Sequence, residues 1–140
     1  MARTRWDAQQ DGTVEIPVNR ALGFDVGPID DPAKEIVYIW SVPAELCNSA
    51  GNVQGGVLAA FADSLLGGAS AAHLPDDEYP ALAEMKISIM RPAAAGTTLT
   101  GKGRILKKGR RVLFAEGEVY DADGNLVAKA SGTEIPAKLS

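Results

Sequence analysis

Two glycines, an aspartate and an asparagine stand in the stretch from Asn48 to Leu74, NSAGNVQGGVLAAFADSLLGGASAAHL, at spacings that could support carbonyl chemistry. Asn48, Ser49 and Asn52 supply turn and N-cap chemistry, and Gly55-Gly56 fall where a helix would begin. The first amides of a helix lack intrahelical acceptors, and glycine lets a ligand come close to them. The helix end also carries partial positive charge, so a carbonyl oxygen gaining negative charge would be stabilised there. The same glycines would equally serve a tight loop-to-helix junction against a sheet. Both readings stand.

Asp63 comes eight residues after Gly55, which on a helix means a rise of roughly 12 Å and a rotation of about 80°. Within one chain, Asp63 cannot reach a carbonyl held at the Gly55 amide. Two helices lying antiparallel across a two-fold axis would bring the middle of one to the N-terminus of the other. Two identical composite sites would follow. A carboxylate inside so apolar a run is costly, which favours a functional role. The bland alternative is a buried aspartate satisfied by a hydroxyl or by backbone.

The element that must position these groups is the helix itself. From Val57 to His73 only Asp63, Ser64, Ser70 and His73 interrupt apolar or small residues, and Leu74-Pro75 closes the run. A helix apolar on every side is either a core helix or a membrane span. An aspartate and two glycine pairs make this one a poor span, and a core helix is expected. Around it, Ala21–Ile29 reads as a short strand and Glu35–Val42, EIVYIWSV, as a second. After the helix, PDDEYP reads as a loop and the following ALAEMKISIM as a strand. Thr97–Lys107, Arg111–Tyr120 and Leu126–Ile135 follow as strands, with turns at Lys108-Gly109-Arg110 and Asp121–Asn125. The order predicts an α+β fold: two strands, one long helix, then a four-stranded antiparallel meander. One helix cannot cover both faces of six strands, so a curved sheet wrapped around it is the natural solution. Such a sheet has a free edge, and pairing that edge with a second copy predicts a homodimer.

Length and composition narrow the classes. The 140 residues suit one domain, with residues 1–18 as an N-terminal arm, either extended or an ordered segment packed on a neighbour through Trp6, and residues 19–140 as the domain. A net charge of −4 argues against nucleic-acid binding. No apolar stretch follows the arginines of MARTRWDAQQDG, and the single Cys47 suits a reducing compartment, so a cytoplasmic protein is expected. One histidine and one cysteine cannot build a zinc site of the usual kind, and His73 has no nucleophile motif beside it.

NSAGNVQGGVLAAFADS resembles the signature of the hotdog-fold acyl-CoA thioesterases of the phenylacetate-pathway and 4-hydroxybenzoyl-CoA groups. That signature is an Asn or Gln, a Gly, then His-Gly-Gly, and an Asp or Glu eight residues after the first glycine of the pair. Asn48, Gly51, Gly55, Gly56 and Asp63 keep their places. The segment ISIMRPAAAGTTLTGKGRILKKGRRVLFAEGEVYDADGNLVAKASGT is similar to the family's closing strands, and the likeness covers about residues 19–136. It implies a hotdog fold and hydrolysis of a small or aromatic acyl-CoA thioester. No metal or redox cofactor is needed, and coenzyme A enters as part of the substrate. Gly55 would donate its amide to the thioester oxygen, with Gly56 beside it. Asn48 would position the thioester or the attacking water. Asp63 of the other subunit would be general base or nucleophile. Relatives often pair further, as dimers of dimers.

Two positions depart from the pattern. Gln54 stands where the family usually has histidine and can donate a hydrogen bond without titrating, and Leu82 stands where some relatives carry serine or threonine. They keep a non-catalytic acyl-CoA binder as the alternative; a dehydratase, which would want the missing histidine, ranks third. Six of the fourteen basic residues lie between Lys102 and Arg111, among them Lys107, Lys108, Arg110 and Arg111. They could clamp the phosphates of coenzyme A, with Arg91 in support, or form a solvated hairpin that discourages aggregation. Trp6, Trp40 and Phe61 could line an acyl pocket, although core packing is the expectation for the last two.

Overall fold

The computed structural model describes residues 2–139. Its centre is helix α3, Gly55–Ala71, which ends two residues earlier than the apolar run suggests. Two short helices precede it, α1 at Arg5–Gln10 and α2 at Pro17–Leu22. The six strands are β1 (Asp25–Val26), β2 (Ile36–Ser41), β3 (Glu78–Ile89), β4 (Thr98–Lys108), β5 (Leu113–Tyr120) and β6 (Leu126–Lys138). They form one antiparallel sheet in the order β1-β2-β4-β5-β6-β3, curved around α3 in the hotdog arrangement. Among the described residues, no helix is long and apolar enough to cross a membrane.

Three local expectations are corrected. Arg5–Gln10 and Pro17–Leu22 are helices, where the sequence leaves the arm either extended or packed through Trp6 and predicts a strand from Ala21. Thr4 caps α1 through a reciprocal pair with Asp7, at 3.1 and 2.9 Å. Pro17 opens α2 at a position where its missing N–H costs nothing, and Gly23, at φ +84°, closes it. Strand β1 is therefore cut to two residues. Trp6 is buried against this chain's own Tyr38, with ring centroids 6.1 Å apart, rather than held in an extended arm. Strand β3 also starts earlier, at Glu78, inside the stretch read as a loop.

The third correction is topological. Strands β4, β5 and β6 make a three-stranded meander, and β3 pairs with β6, not β4. The segment after β3 thus passes β6 and β5 before β4 begins beside β2. Helix α3 packs against β2, β3, β4, β5 and β6. Phe24, Trp40 and Phe61 meet beneath its first half, with centroids 5.0–5.3 Å apart. Close approach of helix to sheet depends on Gly103, where a Cβ would lie 2.4 Å from the backbone oxygen of Leu65. Strand β3 forms one edge of the sheet, and Tyr79, Leu82 and Ile89 on it are exposed.

Candidate active site

Helix α3 is not sheathed on every side. Gly56 and Asp63 are exposed on it, and Ala59, Ala60, Ser64 and Gly67 are half-buried. These positions recur at three- and four-residue intervals, so they form one stripe along the helix. Asp63 is accordingly not a core aspartate.

At the helix start, Gln54 is the N-cap with an extended backbone, φ −61° and ψ 134°, and its side chain caps nothing. Its carbonyl accepts from Val57 and Leu58 at 2.9 and 3.0 Å. The Gly55 and Gly56 amides are left without an acceptor among the described residues. A Cβ at Gly55 would make only ordinary contact with Ile89 Cδ1, at 3.5 Å, and one at Gly56 would meet nothing within 4 Å. Packing inside this chain therefore does not demand glycine at either place.

Asn48 builds the loop that leads in. Its Oδ1 accepts from the amides of Ala50 and Asn52 at 3.0 and 3.2 Å, and Gly51 turns the chain at φ +80°. With its oxygen occupied, the side chain presents its NH2 group as the free donor. Asn48, Gly55 and Arg91 line a single cleft of about 340 Å³, floored by Leu58 and walled by Ile89 and Met90. Three residues expected in the site are thus brought together.

Asp63 opens onto a different cleft, of about 290 Å³, shared with Arg5, Ser64, Gly67 and Tyr79. The two clefts have no residue in common. No hydrogen bond or ion pair holds the Asp63 carboxylate among the described residues, and partial burial pushes its carboxyl above the ordinary aspartate value. Ser64 beside it donates to Asn19 Oδ1 at 2.9 Å.

Of the remaining candidates, the Gln54 side chain is exposed and lines neither cleft. Leu82 is exposed on β3 and pairs with Glu134, where the β3–β6 register shifts. Lys107, Lys108, Arg110 and Arg111 are all exposed around the β4–β5 turn. Lys108 donates to the His73 carbonyl at 2.7 Å, which fixes that turn at the C-terminal end of α3. The helix is 17 residues long, so this end lies roughly 24 Å from Gly55 in the same chain. Two other members of the basic group are occupied elsewhere: Arg104 is ion-paired with Glu35, Glu116 and Glu118, and Lys102 sits 5.9 Å over the Tyr120 ring. His73 is bonded at Nε2 to the Ala33 carbonyl, 2.9 Å away.

One residue of the neighbourhood escaped sequence reasoning. Glu134 on β6 is 1% exposed, and its Oε1 has no partner among the described residues. Burial and the Asp63 charge push its carboxyl up to about 7. The signal was present: Glu134 has the parity of Ala128, Ala130 and Gly132, all of which face inward.

Residues 50–128 match the sequence profile of the Thioesterase superfamily. A protein of Saccharolobus solfataricus named as a candidate esterase is 35% identical over 89 residues, covering 64% of this chain. The match spans 62% of that relative's length. A solved structure from Ralstonia eutropha, a candidate thioesterase related to phenylacetic acid degradation, superposes with a TM-score of 0.84 at 30% identity. It covers 94% of this chain and 98% of that one. A mutant form of a phenylacetic acid degradation protein from Thermus thermophilus superposes at 0.76 with 28% identity, over 86% of this chain and 98% of that one.

Proposed function

Because this chain belongs to the thioesterase superfamily, we propose that it is an acyl-CoA thioesterase whose active site forms between two copies related by a two-fold axis. The observation that carries the reading is the separation of the Gly55 and Asp63 clefts along one uncovered helix stripe. Antiparallel pairing of two such stripes sets the Asp63 of one protomer against the Gly55 amide of its partner. The long exposed edge of β3 supplies a surface for that pairing.

In this arrangement the thioester oxygen accepts from the Gly55 amide, with Asn48 Nδ2 as a second donor to the thioester or to water. Asp63 takes a proton from water as the water oxygen attacks the carbonyl carbon. The resulting oxyanion collapses, the C–S bond breaks, and the thiolate leaves to take up that proton. Direct attack by the carboxylate, through an anhydride that water then opens, uses the same groups. Neither route needs a metal or redox cofactor.

The partner's helix runs on for eight residues beyond Asp63, so its C-terminal end and basic turn lie about 12 Å past the reacting centre. Lys107, Lys108, Arg110 and Arg111 then suit the phosphates of coenzyme A. The reading includes a small or aromatic acyl group, a cytoplasmic location and further pairing of dimers. The exposed, non-titrating Gln54 favours the second reading, a binder that does not turn over. Thiol release from a panel of aryl- and alkyl-CoA thioesters separates the two. Catalytic release is expected for at least one substrate, and saturable binding with no release across the panel would overturn hydrolysis.

A further inference from the structure

We propose that Asn19 is a specificity-determining residue: it fastens α2 to α3 beside Asp63 and so closes the acyl cleft to long chains. The inference deepens the thioesterase reading and rests on it for the substrate, although the bond and the wall it holds do not. The cleft at Asp63 is lined by Val14, Ile16, Pro17 and Val18 on one side and by Tyr79 and Pro80 of β3 on the other. These side chains offer an acyl group an apolar surface directly beside the carboxylate that acts on its carbonyl. Four of the six come from α2 and the segment leading into it, so the position of α2 sets the size of the cleft.

Little else holds that wall. Helix α2 has 6 residues, none of them buried, and a helix so short does not persist on its own. Its last residue is anchored, because the Leu22 carbonyl accepts from Trp40 Nε1 at 2.8 Å. Its middle is held by Asn19, whose Oδ1 accepts from Ser64 Oγ at 2.9 Å. One turn further along the same face of α3, a Cβ at Gly68 would lie 3.0 Å from Tyr38 Oη. Burial pushes the Tyr38 hydroxyl up to about 12, and a hydrogen bond from the Asn19 side chain opposes the rise. Both ends of the Asn19 amide are thereby engaged, the oxygen on Ser64 and the NH2 group on Tyr38.

Behind the wall lies more space. A cleft of about 500 Å³ reaches to Phe24 and Tyr38, and Val14, Ile16 and Asn19 line both it and the Asp63 cleft. The Asp63 cleft alone is about 290 Å³, at the lower bound of the roughly 300–1,000 Å³ of small-molecule sites. It suits a ring or a short chain. Cutting the Asn19–Ser64 bond frees the middle of α2, joins the two spaces and admits a longer chain. Substitution of the Asn19 side chain leaves its carbonyl in place, which accepts from Gly23 and Phe24 at 2.9 and 2.8 Å and ends the helix.

Chain length reads out the wall. Hydrolysis of benzoyl-CoA and dodecanoyl-CoA is compared in the native protein, Asn19→Ala and Ser64→Ala, which cut one bond from its two ends. Each variant should raise the kcat/KM ratio of dodecanoyl-CoA over benzoyl-CoA about tenfold, and the double variant should add little to either. A ratio that stays within about twofold of native in the folded variants would overturn the assignment. Equal losses on both substrates, as a cleft holding the pantetheine arm would give, count as that result. If the native protein releases no thiol from any aryl- or alkyl-CoA, the hydrolase reading falls, and calorimetry with free dodecanoate decides the wall alone. Tighter binding to Ser64→Ala than to the native protein upholds the wall, and equal or weaker binding overturns it.

Discussion

Asp63→Asn is expected to lower kcat for acyl-CoA hydrolysis by about a thousandfold, within the range that loss of a general base or nucleophile produces. The substitution keeps shape and removes the charge. Asp63 is exposed in the protomer and bonds to no other side chain among the described residues, so folding does not depend on it. Thermal unfolding should therefore stay the same or rise slightly, since a partly buried charge is removed, and the oligomeric state should be unchanged while turnover collapses. Turnover within tenfold of the native protein would take Asp63 out of the mechanism. The native enzyme should also lose activity in acid as Asp63 protonates, with a midpoint above the ordinary aspartate value because burial raises that carboxyl.

The second large effect is expected from Gly55→Pro. Proline is well tolerated at the first position of a helix, because the N–H it lacks has no intrahelical acceptor. Gly55 holds that position, and the preceding Gln54 already has the extended backbone that proline imposes on its neighbour. A Cβ at this position would meet only the flexible tip of Ile89, at 3.5 Å. Gly55→Pro thus deletes one donor and leaves the helix in place. Loss of an oxyanion-hole donor costs about a hundredfold to a thousandfold in kcat, and that is the expected result, with KM changed far less. Gly55→Ala, which keeps the amide, should retain most activity. Equal losses in both variants, measured by steady-state thiol release, would point to crowding at the cleft and not to the amide.

Much of the candidate site's geometry was legible in the chain because it is local. The Gly55–Asp63 spacing lies on one helix, whose geometry fixes rise and rotation before any tertiary contact is known. That arithmetic separated the two groups within one chain, and the two clefts follow it. The apolar run located the helix but overstated its burial, because small residues such as Gly56, Ala59 and Ala60 read as core and yet leave a stripe uncovered. Long-range pairing was less accessible. Alternation in the β3 segment shows that it is a strand but not which neighbour it takes, so its pairing with β6 was missed. The N-terminal helices were missed for a different reason. Arg5–Gln10 is too short to show a period, and its stability comes from the Thr4–Asp7 cap and the burial of Trp6. Glu134 needed the alternation of β6 to be followed to its end, where the inward face buries a carboxyl oxygen without a partner among the described residues.

Subunit complementation tests the composite site most directly. Asp63→Asn and Gly55→Pro chains are each nearly inactive alone, and a mixed dimer carries one site with both groups intact only if each site draws on two chains. Purified mixed dimers, separated by distinct tags, should recover about half the native turnover per dimer. No recovery in those mixed dimers, with both parent variants folded and paired, would place Gly55 and Asp63 in the same chain's site and contradict the account.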